Sequence, residues 1–368
     1  MNKKTTFVAL CLAMSLGSWA QTKQGGISPQ MLSEIQKLQS QTPASKALFN
    51  AIAANNIDDL VKNHANQGPV DTHFSVETPA QSIHDQKSSG RCWMFSGFNV
   101  LRSNFAKAHG DSLKVELSHD YLFFYDQLEK ANLMLQGVID NAKKPIDDTR
   151  VQFFFKSPIN DGGTFCGVAD LADKYGVVPM SIVPETYSAE NTSRISRLVA
   201  SKLREFGLEL RDMVAKGKNA KAINERKTQM LATVYNMLSM TLGEPVKEFT
   251  YAFTDKNGKT VGTPKKYTPK EFFHEVVGDG IKGTFIMVMN DPRRPYHKTY
   301  EVEYDRHTYD GTNWKYLNLP MDEIAQLAIA SLKDGRKMYS SYDVGKQYDR
   351  KRGLLDVNNY DYASLFST

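Results

Sequence analysis

The run that begins at Cys92 constrains this chain most. Apolar residues recur there at helical intervals, through Met94, Phe95, Phe98, Leu101 and Phe105, which is the spacing of a helix buried along one face. The pattern predicts a core helix ending near His109, with a cysteine at its first position. Backbone N–H groups and the macrodipole favour negative charge at a helix start. A thiolate is a strong nucleophile and a thiol a weak one. A cysteine placed there is therefore either a reactive group or a small buried residue.

The residues leading into that helix favour reactivity. Gly90 keeps the approach to Cys92 clear of side chains, and Gln86 lies six residues earlier on the entering loop. Its amide N–H₂, together with the Cys92 backbone N–H, could hold the oxyanion formed when a thiolate attacks an amide carbonyl. One such donor is worth roughly 3–4 kcal/mol in a transition state. Trp93 is expected in the core behind the cysteine.

Cysteine usage supports the same reading. Of three cysteines, Cys11 lies in an apolar run, leaving Cys92 and Cys166. Two cysteines cannot make a disulfide scaffold, although a single bridge between them stays open. No Cys-x-x-Cys motif is present, which argues against thiol redox chemistry. Cys166, just ahead of an apolar helix, is expected to be a buried structural thiol.

The first twenty residues differ in kind from the rest. Lys3 and Lys4 precede an apolar run from Phe7 to Leu16, and Ser18-Trp19-Ala20 follows. This resembles a leader cleaved near Ala20, too short to span a bilayer, and predicts an exported, periplasmic or secreted protein. Losing the two lysines takes the formal charge from +5 to +3. Such a charge gives no argument for nucleic acid. The basic stretch Lys216–Lys227 has no interleaved aromatic and is expected to be a solvated helix face. No later segment is apolar for long enough to cross a membrane, and no cofactor is implied.

The chain is expected to be α+β, with helices gathered in the first half and strands in the second. Residues 1–20 form the leader, 21–70 N-terminal helices and 71–189 a helical half carrying the nucleophile. Residues 190–246 form a helical insertion without identifiable chemistry, and 247–368 a partial β-rich half. Ser118 is expected to cap a helix reaching Leu133, and Gly176 to end another that begins at Val168. Strands are expected at 73–77, 284–289, 299–304 and 337–341, with a helix from Met321 to Leu332. Asn257-Gly258 predicts a hairpin joining 248–253 to 259–261.

The stretch Gln86-Lys87-Ser88-Ser89-Gly90-Arg91-Cys92-Trp93 resembles the active-site signature of papain-like cysteine peptidases, and in particular of the bleomycin hydrolase and aminopeptidase C family. Further landmarks follow in family order, among them Leu117–Phe124, Asn160-Asp161-Gly162-Gly163, Lys174–Pro179, Asn290-Asp291-Pro292, Lys333-Asp334-Gly335 and Asp343–Lys346. Together they cover the chain from about residue 30 onward. The resemblance implies a papain-like fold with a helical half and a β-barrel half, acting on peptides through an acyl-enzyme. It makes Cys92 the nucleophile and Gln86 the oxyanion-hole side chain. It also implies that Gly162 and Gly163 expose backbone groups to an extended substrate, where the residues alone allow a simple tight turn equally well. A hexameric assembly is a further implication.

The family carries its base within a Ser/Thr-His-Ala segment and its orienting asparagine within an Asn-Ser-Trp segment, and neither occurs in these 368 residues. The β-barrel half is accordingly expected to be incomplete, without its C-terminal strands. Of the histidines present, His64, His73, His84, His109, His119, His274, His297 and His307, none has a supporting pattern, and surface or capping roles are expected for them. Two functional expectations follow. One is an aminopeptidase-like cysteine peptidase; the other is a truncated, catalytically inactive relative that binds peptides.

Overall fold

The structure, a computed structural model, describes residues 25–38, 42–79 and 82–366. Residues 1–20, expected to be a leader, lie outside the described residues. The chain divides into two compact units, one of residues 72–341 and one that joins the N-terminal residues to 71 with 342–368.

The larger unit is built on the helix Cys92–Ala108, whose buried residues include Trp93, Met94, Phe98, Leu101 and Phe105. The expected periodicity thus faces the core. The next helix, His119–Asp140, is capped by Ser118, whose hydroxyl accepts the Tyr121 N–H at 3.1 Å. It runs seven residues beyond the expected end at Leu133, because Met134, Leu135 and Val138 continue its buried face. Helix Phe165–Tyr175 ends at Gly176 as expected. Both helices pack on the Cys92–Ala108 core around Leu122, Phe123, Val168 and Leu171, all fully buried. Burying each such side chain is worth about 1.5–3 kcal/mol.

Two 23-residue helices, Ser193–Ala215 and Ala220–Leu242, form the expected helical element. Each buries an apolar stripe, Ile195, Val199, Leu203 and Leu210 on the first and Met230, Val234 and Leu238 on the second. Both stripes join the main core. Among the described residues, no helix is long and apolar enough to cross a membrane.

The strands depart from expectation in pairing more than in place. The Asn257-Gly258 turn forms, with the Asp255 N–H donating to Lys259 O at 2.8 Å. Yet Phe249–Tyr251 pairs antiparallel with Lys265–Tyr267, and Thr254–Asp255 with Leu113–Lys114, so the expected hairpin ladder is nearly absent. Phe249 and Tyr267 are buried against Phe272, and that aromatic packing selects the longer pairing. A three-stranded sheet places Lys315–Asn318 in the centre, parallel to Val288–Met289 and antiparallel to Lys298–Glu301. The expected strands at 73–77 and 337–341 do not form; both segments are irregular. Helix Met321–Lys333 matches its expectation. The frame is thus α+β, and no closed barrel forms among the described residues.

The smaller unit holds helices Pro29–Leu38 and Pro43–Ala54, short turns, and the hairpin Tyr348–Asp349 with Leu354–Leu355. The buried Asn359 ties it together, donating from its amide to Gln347 O and Leu354 O.

Candidate active site

Cys92 opens its 17-residue helix and is exposed. Arg91, at the N-cap, makes no side-chain capping bond. Among the described residues nothing accepts the Cys92 N–H, while Met94 N–H already donates to Arg91 O. A helix start left uncapped, with its first N–H turned outward beside a thiol, has a donor to spare. The thiol itself lies 3.9 Å from Gly90 O. Cys166 is buried and also free, so the two cysteines form no bridge. Burial raises the Cys166 thiol pKa, and its Sγ rests 3.0 Å from Met287 Sδ, the contacts of an inert core thiol.

Gln86 is half-buried on the entering loop, and its Nε2 donates to Ser89 O. A primary amide carries two N–H donors, so one remains. Ser89 Oγ closes the turn by donating to Gln86 O at 2.6 Å, and Arg91 Nε donates to Ser89 Oγ at 3.1 Å. Trp93 is buried as expected, its Nε1–H donating to Asp161 O at 2.9 Å.

The two glycines of the Asn160–Gly163 segment separate. Gly162 N–H donates to Asn160 Oδ1 at 3.0 Å, and Gly162 O accepts from Lys130 Nζ at 2.6 Å. Its backbone is therefore already engaged within the turn. Gly163 is exposed, and among the described residues nothing pairs with its backbone. A Cβ on Gly163 would lie 2.2 Å from His307 Cε1 and 2.9 Å from Trp93 Cδ2, so only glycine fits. A cavity of about 700 Å³ runs beside these groups, lined in part by Lys87, Ser89, Gly90, Asn160, Asp161 and Arg197.

The histidines do not behave as surface groups throughout. His307 is buried, its ring 4.4 Å from Trp93 and its Nδ1 2.5 Å from Asp126 Oδ1. Burial, with the Lys130 charge, lowers the His307 pKa, while Asp126 opposes the shift. Burial works against the Asp126 charge, but Lys130 and His307 outweigh it and hold the carboxyl below its usual range. His119 is also buried, stacked 3.6 Å from Phe95, and burial lowers its pKa. His84, His109, His274 and His297 bond to Arg102, Phe105 O, Gly278 O and Glu323. None of these contacts runs to Cys92.

Beside Arg91, next to Cys92, lies a buried charge cluster that local sequence gave no sign of. The Arg91 guanidinium is fully enclosed, 2.7 Å from Glu185 Oε2 and 5.3 Å from the Phe95 and Phe123 ring centres. His119 Nδ1 lies 3.6 Å from Glu185 Oε1. Asp120 is buried with both carboxylate oxygens unpartnered. Burial, aided by the Glu185 charge and opposed by Arg91, pushes the Asp120 pKa up to about 8. An unfolded aspartate titrates at roughly 3.9, so the folded chain keeps a proton that the unfolded chain releases. Its contribution to stability is full below about pH 4 and is lost as pH rises through about 8. Asp120→Asn removes this titration. Urea denaturation across that range should show the variant gaining on the wild type by several kcal/mol toward the alkaline end; parallel curves would contradict the assignment.

An exposed cysteine at the tip of a buried helix, with a glutamine six residues before it on an α+β frame, defines the papain-like class of cysteine peptidases. The chain belongs to the peptidase C1-like family, whose profile matches residues 26–368. It is 37% identical over 330 residues to aminopeptidase C of Lactobacillus delbrueckii subsp. lactis, covering 89% of this chain and 73% of that protein. It is 36% identical over 303 residues to human bleomycin hydrolase, covering 79% of this chain and 65% of that protein. The solved structure of PepW from Lactobacillus rhamnosis HN001 superposes with a TM-score of 0.86 at 33% identity, over 94% of this chain and 77% of that one.

Proposed function

We propose that this protein is a cysteine-type aminopeptidase in which Cys92 attacks the carbonyl carbon of an N-terminal peptide bond. The Cys92 sulfur forms a thioester with the acyl group as the C–N bond breaks and the amine leaves with a proton. Water then hydrolyses the thioester and restores the thiol. The Cys92 N–H and the free Gln86 N–H would hold the oxyanion. The free backbone groups of Gly163 would pair with the extended substrate, with Gly162 supporting that turn. The observation that carries the reading is the exposed thiol at an uncapped helix start whose first N–H finds no acceptor among the described residues.

Aminopeptidase action is the finer part of the proposal, and the names of the aminopeptidase C relatives support it. The reading of an inactive peptide-binding relative finds no support among these matches. Fluorogenic aminoacyl amides with a free amino group should be turned over, and the same amides with a blocked amino group should not. Cleavage of blocked peptides alone would make the protein an endopeptidase, and no turnover of either would overturn the enzymatic reading. We also propose export, on the strength of the Lys3–Ala20 segment; the N-terminal sequence of the mature protein should begin near Gln21.

A further inference from the structure

We propose that Asp161 is a positioning residue that locks the nucleophile turn to the substrate-binding turn. The inference rests on the roles proposed for Cys92 and Gly163. Asp161 Oδ2 accepts the Gly90 N–H at 2.6 Å, across 71 residues of chain. Its backbone carbonyl accepts the Trp93 indole N–H at 2.9 Å. One residue thus holds the chain on both sides of Cys92, two positions before it and one after. Thr192 Oγ1 donates to the same Oδ2, which leaves Thr192 without a capping bond to its own helix. The helical element at 193–242 is therefore tied to the site through its first turn.

The glycine before the nucleophile acquires a specific reason. A Cβ on Gly90 would lie 2.4 Å from Asp161 Oδ1 and 2.8 Å from its Cγ. Gly90 therefore makes room for the carboxylate that accepts its own N–H. Asp161 is joined directly to Gly162 and Gly163, and Lys130 Nζ secures the far side of that turn through Asn160 O and Gly162 O. Between them these contacts set the distance from the Cys92 sulfur to the free backbone groups of Gly163. A misplacement of about 1 Å between reacting groups can cost on the order of 100-fold in rate.

Two probes of Cys92 separate alignment from intrinsic reactivity. Iodoacetamide needs only an accessible thiolate, whereas an aminoacyl chloromethyl ketone must also dock on the substrate-binding turn. In Asp161→Ala the chloromethyl ketone rate at Cys92 should fall about 30- to 100-fold, with iodoacetamide changed by no more than about 3-fold. Asp161→Asn keeps an oxygen acceptor for the Gly90 N–H and should recover most of the loss. Gly90→Ala should repeat the selective loss from the other side of the contact, and it decides the matter if Asp161→Ala does not fold. If the two probes keep the same rate ratio in these variants as in the wild type, the proposal is overturned. If the wild type itself does not react with the chloromethyl ketone at Cys92, the functional reading fails instead.

Discussion

Cys92→Ala is expected to reduce turnover of free-amino aminoacyl amides to background, a loss of about 1,000-fold or more, while leaving the fold intact. The sulfur is the only group proposed to bond covalently to the acyl carbon, and no neighbouring side chain could replace it. Cys92 is exposed and its thiol makes a long hydrogen-bond contact to Gly90 O at 3.9 Å. Removing it opens no cavity and strands no buried partner, so stability should change by no more than about 0.5 kcal/mol. Cys166→Ala is the informative contrast. That thiol is buried against Met287, so its loss should lower stability and spare turnover. Steady-state kinetics beside urea denaturation reads both variants. Retained turnover in Cys92→Ala would remove the nucleophile from the mechanism.

Glu185→Ala should carry the largest stability cost, about 3–5 kcal/mol. The Arg91 guanidinium is fully enclosed, and Glu185, at 2.7 Å, is its countercharge. The two meet as an ion pair without an aligned hydrogen bond, and the Phe95 and Phe123 rings close the remaining sides. Taking the carboxylate away leaves a cation that water cannot reach. Replacing both partners with apolar residues of similar volume, as in Arg91→Met with Glu185→Leu, should be far less damaging, because an ion pair in the interior offsets little more than its own desolvation. A single variant as stable as the double would show that water reaches the Arg91 guanidinium in the folded state. Arg91 precedes Cys92, the proposed nucleophile, and its Nε donates to Ser89 Oγ, so turnover should fall along with stability.

The features legible in the sequence were those set by neighbours along the chain. The Cys92 helix followed from its apolar spacing, the Ser118 cap from one hydroxyl at a helix start, and the end at Tyr175 from the glycine after it. What the sequence left hidden depends on partners far apart. Asn257-Gly258 makes its turn, yet burial of Phe249 and Tyr267 against Phe272 decides which strand pairs with which. Lys315–Asn318 is not legible as a strand because four residues carry little alternation, although it has a strand on each side. Residues 337–341 find no ladder, and Tyr339 sits instead near Cys92 and Cys166, its phenol pKa raised chiefly by burial.

The candidate site divides in the same way. Cys92, Gln86 and Trp93 stand together in one octapeptide. Asp161 contacts Gly90 across 71 residues, Arg91 meets Glu185 and His307 meets Asp126, and no spacing rule reaches these. A signal for the first was nevertheless available. A glycine two residues before a helix-borne cysteine asks what occupies the space its Cβ would take, and the Asp-Gly-Gly segment already singled out contains the answer.

The proposed function rests on Cys92 acting as a nucleophile beside an oxyanion hole. Mass spectrometry of the folded protein after treatment with an epoxysuccinyl peptide inhibitor, which requires an activated thiolate and a docked backbone, tests it most directly. One adduct, on Cys92 and not on Cys166, is the predicted result, lost on unfolding in urea before treatment. Folded protein that leaves Cys92 unlabelled would contradict it.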